Sequence, residues 1–207
     1  MSSTRERILQ AALSAFAERG VEATSLDAVA AAVGVRKQTL LYWFPSKEQL
    51  LFGVVDHAVE ELGRELGDAV HRAGPDVREQ VVAAIDATFR LGSARPELLA
   101  VVREVTRLGP PASTHLAEAA APLVDAAATV LAGDEGDVAA VRRTLLAAGA
   151  QVVGLSIEAE VRADLGLPAD VGWLRSRRRE LLASVSAGGG GALGAGGGRR
   201  PGAPARR

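Results

Sequence analysis

The chain has no cysteine among its 207 residues, so neither a disulfide framework nor a thiolate metal site is available to it. Aromatic residues make up only 3% of it, which leaves alanine, valine and leucine to build the core. Alanine and leucine are strong helix formers. Runs such as Ala28 to Val33 and Ala117 to Ala121 favour helix, and an alternating strand pattern is missing. An all-α fold is expected. No apolar run of about 18 residues is free of charge, so no membrane-spanning helix and no membrane partner are expected. The opening MSSTRER lacks the apolar stretch of a secretory signal, which points to the cytoplasm. His57, His71 and His115 show no metal-pair spacing. With no nucleophile motif either, the chain is not expected to be an enzyme or to carry a metal or cofactor.

A strong positive charge is also lacking. The net charge is −1 at pH 7. Within Met1–Leu50, six positive residues (Arg5, Arg7, Arg19, Arg36, Lys37, Lys47) face five negative ones (Glu6, Glu18, Glu22, Asp27, Glu48). Any case for nucleic acid must therefore rest on where the positives sit.

They sit in a recognisable unit. Thr24 to Lys47 reads as helix, short turn, helix and the start of a third helix. Thr24 is the expected N-cap of the first, with Asp27 in its first turn. Leu26, Val29, Ala30 and Val33 form its buried face, and Gly34 can take tight-turn geometry without a Cβ penalty. The second helix covers about Arg36 to Trp43 and ends before Pro45. Such a unit places its second helix in the DNA major groove. Lys37 and Gln38 suit base edges, whereas Thr24, Tyr42 and Lys47 suit phosphates. The bland reading of Arg36, Lys37 and Lys47 is a solvated helix face. Leu40 and Phe44 are assigned to the core, and Leu41 and Trp43 fit core or DNA equally well.

The remaining chain divides at its glycines and prolines. A first helix over about Thr4 to Arg19 opens with the Ser3/Glu6 capping box and stops at Gly20. Ser46 caps a long fourth helix, about Lys47 to Arg72, on which Glu60-Glu61 and Arg64 read as an exposed group. Helices follow over about Asp76–Leu91, Pro96–Leu108, Ser113–Leu131 with a bend at Pro122, Val138–Leu165, and Asp170–Ser186. The eighth carries no charge between Arg143 and Glu158, so it is expected to be buried on every side, one flank against a second subunit. Gly149, Gly154 and Ser156 would permit close approach there. Arg175, Arg177, Arg178 and Arg179 read as the solvated face of the ninth. The Gly/Arg-rich stretch 188–207 cannot bury enough apolar area to order itself and is expected to be a disordered tail.

The segments TRERILQAALSAFAERG, TSLDAVAAAVGV, KxTL and FPSKEQLL resemble the DNA-binding domain of TetR-family transcriptional regulators. The resemblance covers roughly the first quarter of the chain. It implies an N-terminal three-helix bundle with the helix-turn-helix (1–50), a helical ligand-binding and dimerisation domain (51–187), and about nine helices in all. It implies DNA contacts from Thr24, Arg36, Lys37, Gln38, Thr39, Tyr42, Trp43 and Lys47. Leu41 departs from the tyrosine common at its position, and Trp43 from the tyrosine or histidine common at its own. It further implies a small-molecule inducer site, for which Phe89, Arg103, Thr106, His115 and Gln151 are candidates, and a homodimer through helices eight and nine. The expected function is a ligand-responsive homodimeric repressor on a palindromic operator. The competing reading is a helical protein-interaction module that does not bind DNA specifically.

Overall fold

The computed structural model describes residues 3–133 and 136–188. The segment 189–207, and with it nearly all of the expected tail, lies outside the described residues. Among the described residues the chain is all-α, with the order α1 (Thr4–Ala23), α2 (Leu26–Val33), α3 (Lys37–Trp43), α4 (Lys47–Ala73), α5 (Val77–Ala94), α6 (Pro96–Leu108), α7 (Ala112–Ala132), α8 (Val138–Asp164) and α9 (Val171–Gly188).

The helix starts follow the sequence closely. Ser3 accepts from the Glu6 amide while the Glu6 carboxylate accepts from the Ser3 amide, a reciprocal cap on α1. Ser46 caps α4 through the Gln49 amide. Gly20 does interrupt α1, with φ +78° and ψ 161°, but the helix resumes for another turn to Ala23. The expected cap of α2 is corrected. Ser25, not Thr24, accepts from the Ala28 amide, and Thr24 is buried at the end of α1.

Gly34 closes α2 in the left-handed region, at φ +76° and ψ 32°. No atom lies within 4 Å of where its Cβ would be. A Gly34→Ala substitution therefore tests backbone strain alone. It is expected to lower stability by about 1–2 kcal/mol in chemical denaturation. An unchanged midpoint would show that the turn relaxes without the left-handed conformation.

Two apolar cores form. The first joins Ile8, Leu9, Ala12, Leu13 and Phe16 of α1 to Val29, Ala30, Leu40, Phe44, Leu50, Leu51, Val54 and Val55. Leu98, Val101 and Val105 of α6 belong to it as well. The boundary expected at residue 50 thus falls inside α4, whose next turns still pack against α1. Gly53 on α4 is where Phe44 approaches closest: a Cβ there would sit 2.6 Å from the Phe44 ring. The second core combines Val81, Ile85, Ala128, Leu131, Ala132, Val141, Val152 and Leu181 from α5, α7, α8 and α9.

Helix α8 departs from expectation. It is apolar around its middle, yet only Val141 and Val152 on it are buried. Leu146, Ile157 and Val161 are each about half exposed (55%, 48% and 51%). Gly149 and Gly154 have no neighbour within 4 Å of a built Cβ, so nothing among the described residues uses the close approach they permit. By length and composition alone, α7 and α8 would be long and apolar enough to cross a membrane. The uncharged stretch of α8 nevertheless ends at Arg143 on one side and Glu158 on the other. Helix α7 runs on through Pro122.

The arginines of α9 are not simply solvated. Arg177 donates to Glu158 on α8 and to Glu180 (2.8 and 2.6 Å). Arg178 pairs with Asp86 on α5, the longer of its two bonds measuring 3.0 Å.

Candidate nucleic-acid interface

Helix α3 has one anchor and one open face. Leu40 is fully buried and is the only buried residue of the helix. Arg36, Lys37, Gln38, Thr39, Tyr42 and Trp43 are exposed. Tyr42 reaches 80% exposure, and its ring meets Trp43 edge-on at 5.3 Å. Trp43 therefore stands on the open face, while Leu41 is half-buried. The side chains of Arg36 and Gln38 make no polar contact among the described residues. Lys37 pairs with Asp27 on α2 at 2.7 Å, both side chains largely exposed. An exposed pair of this kind contributes about 0–1 kcal/mol. Asp27 can thus orient the lysine without holding it back from an acceptor on DNA.

The segment before α2 is a polar knot. The Thr24 hydroxyl donates to the carbonyls of Ala15 and Gly20 (3.1 and 2.8 Å). The Lys47 ammonium donates to the carbonyls of Val21, Glu22 and Thr24 at 2.9, 3.0 and 3.2 Å. An ammonium has three donors, and here three carbonyls take them. Thr24 and Lys47, both expected at phosphates, thus have partners within the protein. Thr24 is buried and its hydroxyl is committed, and Lys47 ties the start of α4 to the end of α1. Both shape the interface from behind. Lys47 adds its charge to the local field but has no donor to spare in this arrangement.

Further contacts from other elements fix the same head. Arg7 donates to the carbonyl of Val33 at the end of α2 (2.6 Å), and the Arg5 guanidinium lies 5.6 Å from the Phe44 ring centre. Glu104 on α6 accepts from the Val21 amide at 2.9 Å. Its carboxyl is held below the usual carboxylate range, first by the Arg107 hydrogen bond and also by the Val21 amide, against the opposing effect of burial. A lowered folded value means that the stability this group contributes is present at neutral pH. It is lost only as the pH falls through that depressed value.

The five residues expected around a ligand do not converge. Phe89 is half-buried against the second core. Arg103 pairs with Glu160 on α8 at 2.6 Å. The exposed Thr106 hydroxyl donates to its own helix at Val102. His115 lines a cavity of about 490 Å3 with Phe52, Pro110, Pro111, Thr114 and Glu118. Its ring stacks on Phe52 at 4.3 Å, and its Nε2 lies 2.8 Å from Asp56. Gln151 lines a different cavity of about 200 Å3, between α8 and α9, with Leu155, Glu158, Arg177 and Leu181. Family resemblance suggested the site, and no local signal tied the positions of these five together.

Comparison with known proteins agrees with the geometry of the head. The family described as "Bacterial regulatory proteins, tetR family" matches residues 8–54, a span that contains all of α2 and α3. Over residues 8–54 the chain is similar to TetR-family transcriptional regulators. Among curated relatives, the HTH-type transcriptional regulator RutR of Escherichia coli is 44% identical over 55 residues, covering 27% of this chain and 26% of that protein. The HTH-type transcriptional activator FasR of Mycolicibacterium smegmatis is 34% identical over 85 residues, 41% of this chain and 38% of its own. The chain thus spans about a quarter of the length of RutR and under half that of FasR. Similarity of fold extends much further. The transcriptional regulator FadR of Bacillus subtilis, solved in complex with stearoyl-CoA, superposes with a TM-score of 0.71 at 16% identity, covering 88% of this chain and 98% of that one. The sequence similarity is thus confined to the head, and the likeness over the rest of the chain is one of fold.

Proposed function

We propose that this chain is a ligand-responsive homodimeric repressor that binds a palindromic double-stranded DNA operator in the cytoplasm. The open polar face of α3 carries the reading: Arg36, Lys37, Gln38, Thr39, Tyr42 and Trp43 stand exposed on a short helix whose other side is anchored in a packed core. In this reading residues 1–50 present the DNA-contacting surface, and 51–187 bind ligand and dimerise. Arg36, Lys37 and Gln38 read bases, while Tyr42 and Thr39 reach the phosphates beside them. Trp43 packs beside Tyr42 at the edge of the same contact.

Two recognition helices must meet half-sites about 34–36 Å apart, or a multiple of it. The uncovered apolar face of α8, continued by α9, supports a second copy of the chain as its cover. The aliphatic second core supports an apolar small-molecule ligand. Such a ligand releases the operator by favouring a dimer whose recognition helices are out of register with the half-sites.

The test is a paired substitution. Lys37→Ala and Gln38→Ala should each cost about 1–3 kcal/mol of discrimination at one base position, with the dimer intact by sedimentation. Unchanged operator selectivity in both would remove α3 as the reading helix and favour a protein-interaction module.

A further inference from the structure

We propose that α6 belongs to the DNA-reading unit, and that Glu104 and Arg95 are the positioning residues through which it sets operator affinity. The proposal rests on the regulator reading above. It starts from the apolar packing. Leu98, Val101 and Val105 of α6 are buried in one core with Ile8, Leu9, Ala12 and Leu13 of α1. The fully buried residues of the second core include none from α6. The buried face of α6 thus packs with the head, while the partly buried Leu99 meets the second core, although α6 follows α1 by some seventy residues of chain.

Two polar clamps lie at the ends of this contact. The first answers a local problem. The break at Gly20 leaves the Val21 amide without a helical partner, a cost unless something accepts from it. No side chain of the adjacent loop does so. Glu104 reaches over from α6 instead, at 2.9 Å. A Cβ on Gly20 would lie 3.1 Å from that same carboxylate oxygen, so the glycine also clears the path. Arg107 holds Glu104 with two bonds of 2.8 and 3.0 Å and reaches Glu22 at 3.5 Å. The carbonyl of Val21 accepts from Lys47 on α4. One residue, Val21, five positions before α2, is thus gripped by α6 on its N–H and by α4 on its C=O.

The second clamp is at the other end. Arg95, just before α6, donates to Gln10 on α1 at 3.0 Å and to Glu61 on α4 at 2.6 Å, and it pairs with Glu97. Glu61 is therefore not an exposed helix charge but the inner partner of this clamp, with a side chain only 15% exposed. Gln10 in turn lies 2.6 Å from His57 on α4. On its far side α6 is tied to the body, because Arg103 pairs with Glu160 on α8. A displacement of α6 by events in the body is handed directly to the residues that begin the helix-turn-helix.

Substitutions at Glu104 in the full chain separate positioning from plain stability. The operator is a fragment selected from a random duplex pool by the wild-type protein. Glu104→Ala should weaken operator binding about tenfold and speed amide exchange over residues 20–33, with exchange in α8 unchanged. Glu104→Gln should restore both, because its amide oxygen still accepts from Val21. Should Glu104→Ala fail to fold, Gln10→Ala loosens the second clamp and carries the same expectation. Unchanged operator affinity alongside faster Val21 exchange would overturn the proposal, and so would accelerated exchange throughout α8. A wild-type chain that selects no fragment overturns the regulator reading itself, and the proposal with it.

Discussion

Leu40→Ala is expected to cost the head about 2–5 kcal/mol and to abolish operator binding. Leu40 is fully buried and is the only side chain of α3 that enters the core. A helix of seven residues has no stability of its own in water. Its position comes from that one anchor together with its covalent ends at Gly34 and Pro45. Removing three heavy atoms leaves a cavity in the core that Leu40 shares with Phe16, Val29 and Leu50. Because α4 carries Leu50 and Leu51 in that core, the loss should appear in denaturation of the full chain as well as in binding. A denaturation midpoint equal to the wild type, with DNA binding kept, would show that α3 is held by something other than this anchor.

Leu146→Asp is expected to give a folded monomer. Leu146 is 55% exposed on α8, so a charge there is solvated in the protomer and costs the fold little. Placed against a second copy, the same charge would be buried without a partner. Gly149→Leu makes the complementary test, since nothing lies within 4 Å of the glycine's Cβ position and the added side chain fits the isolated protomer. Both variants should shift sedimentation towards the monomer. Operator affinity should fall by roughly a hundred- to ten-thousandfold, because the second half-site is no longer held at high effective concentration. A dimer unaffected by both substitutions would place the interface elsewhere.

The head was legible in the sequence because its signals are local. Ser3 and Glu6, Gly34, Pro45 and Ser46 each act within a few residues, and helix boundaries follow from them, while Gly20 marks a kink inside α1. The one local error, Thr24 for Ser25, arose where two capping residues stand side by side. Tertiary context decides between them: the Thr24 hydroxyl is drawn to the carbonyls of Ala15 and Gly20, leaving Ser25 to cap α2. The internal partners of Lys47 were hidden for a similar reason, since a lysine at an expected interface gives no sign that three carbonyls lie within its reach.

Contacts between distant segments were not legible at all. Glu104 meets Val21 across 83 residues and Arg95 meets Gln10 across 85. Nothing in either neighbourhood marks the partner. Helix α8 illustrates a different limit. An apolar surface on every side signals burial but does not say whether the chain or a second copy supplies the cover. In the protomer much of it remains open. The expected ligand residues share no sequence pattern. His115 and Gln151 line two separate cavities, and Arg103 spends its charge on Glu160.

The most direct measurement is a footprint of the full chain on a duplex it selects itself, repeated with Gln38→Ala. A dimer that reads DNA through α3 should protect two symmetric half-sites whose centres lie about 34–36 Å apart or a multiple of it, and Gln38→Ala should relax selection at one symmetric pair of positions. Protection without two-fold symmetry, or a selected sequence that Gln38→Ala leaves unchanged, would contradict the account.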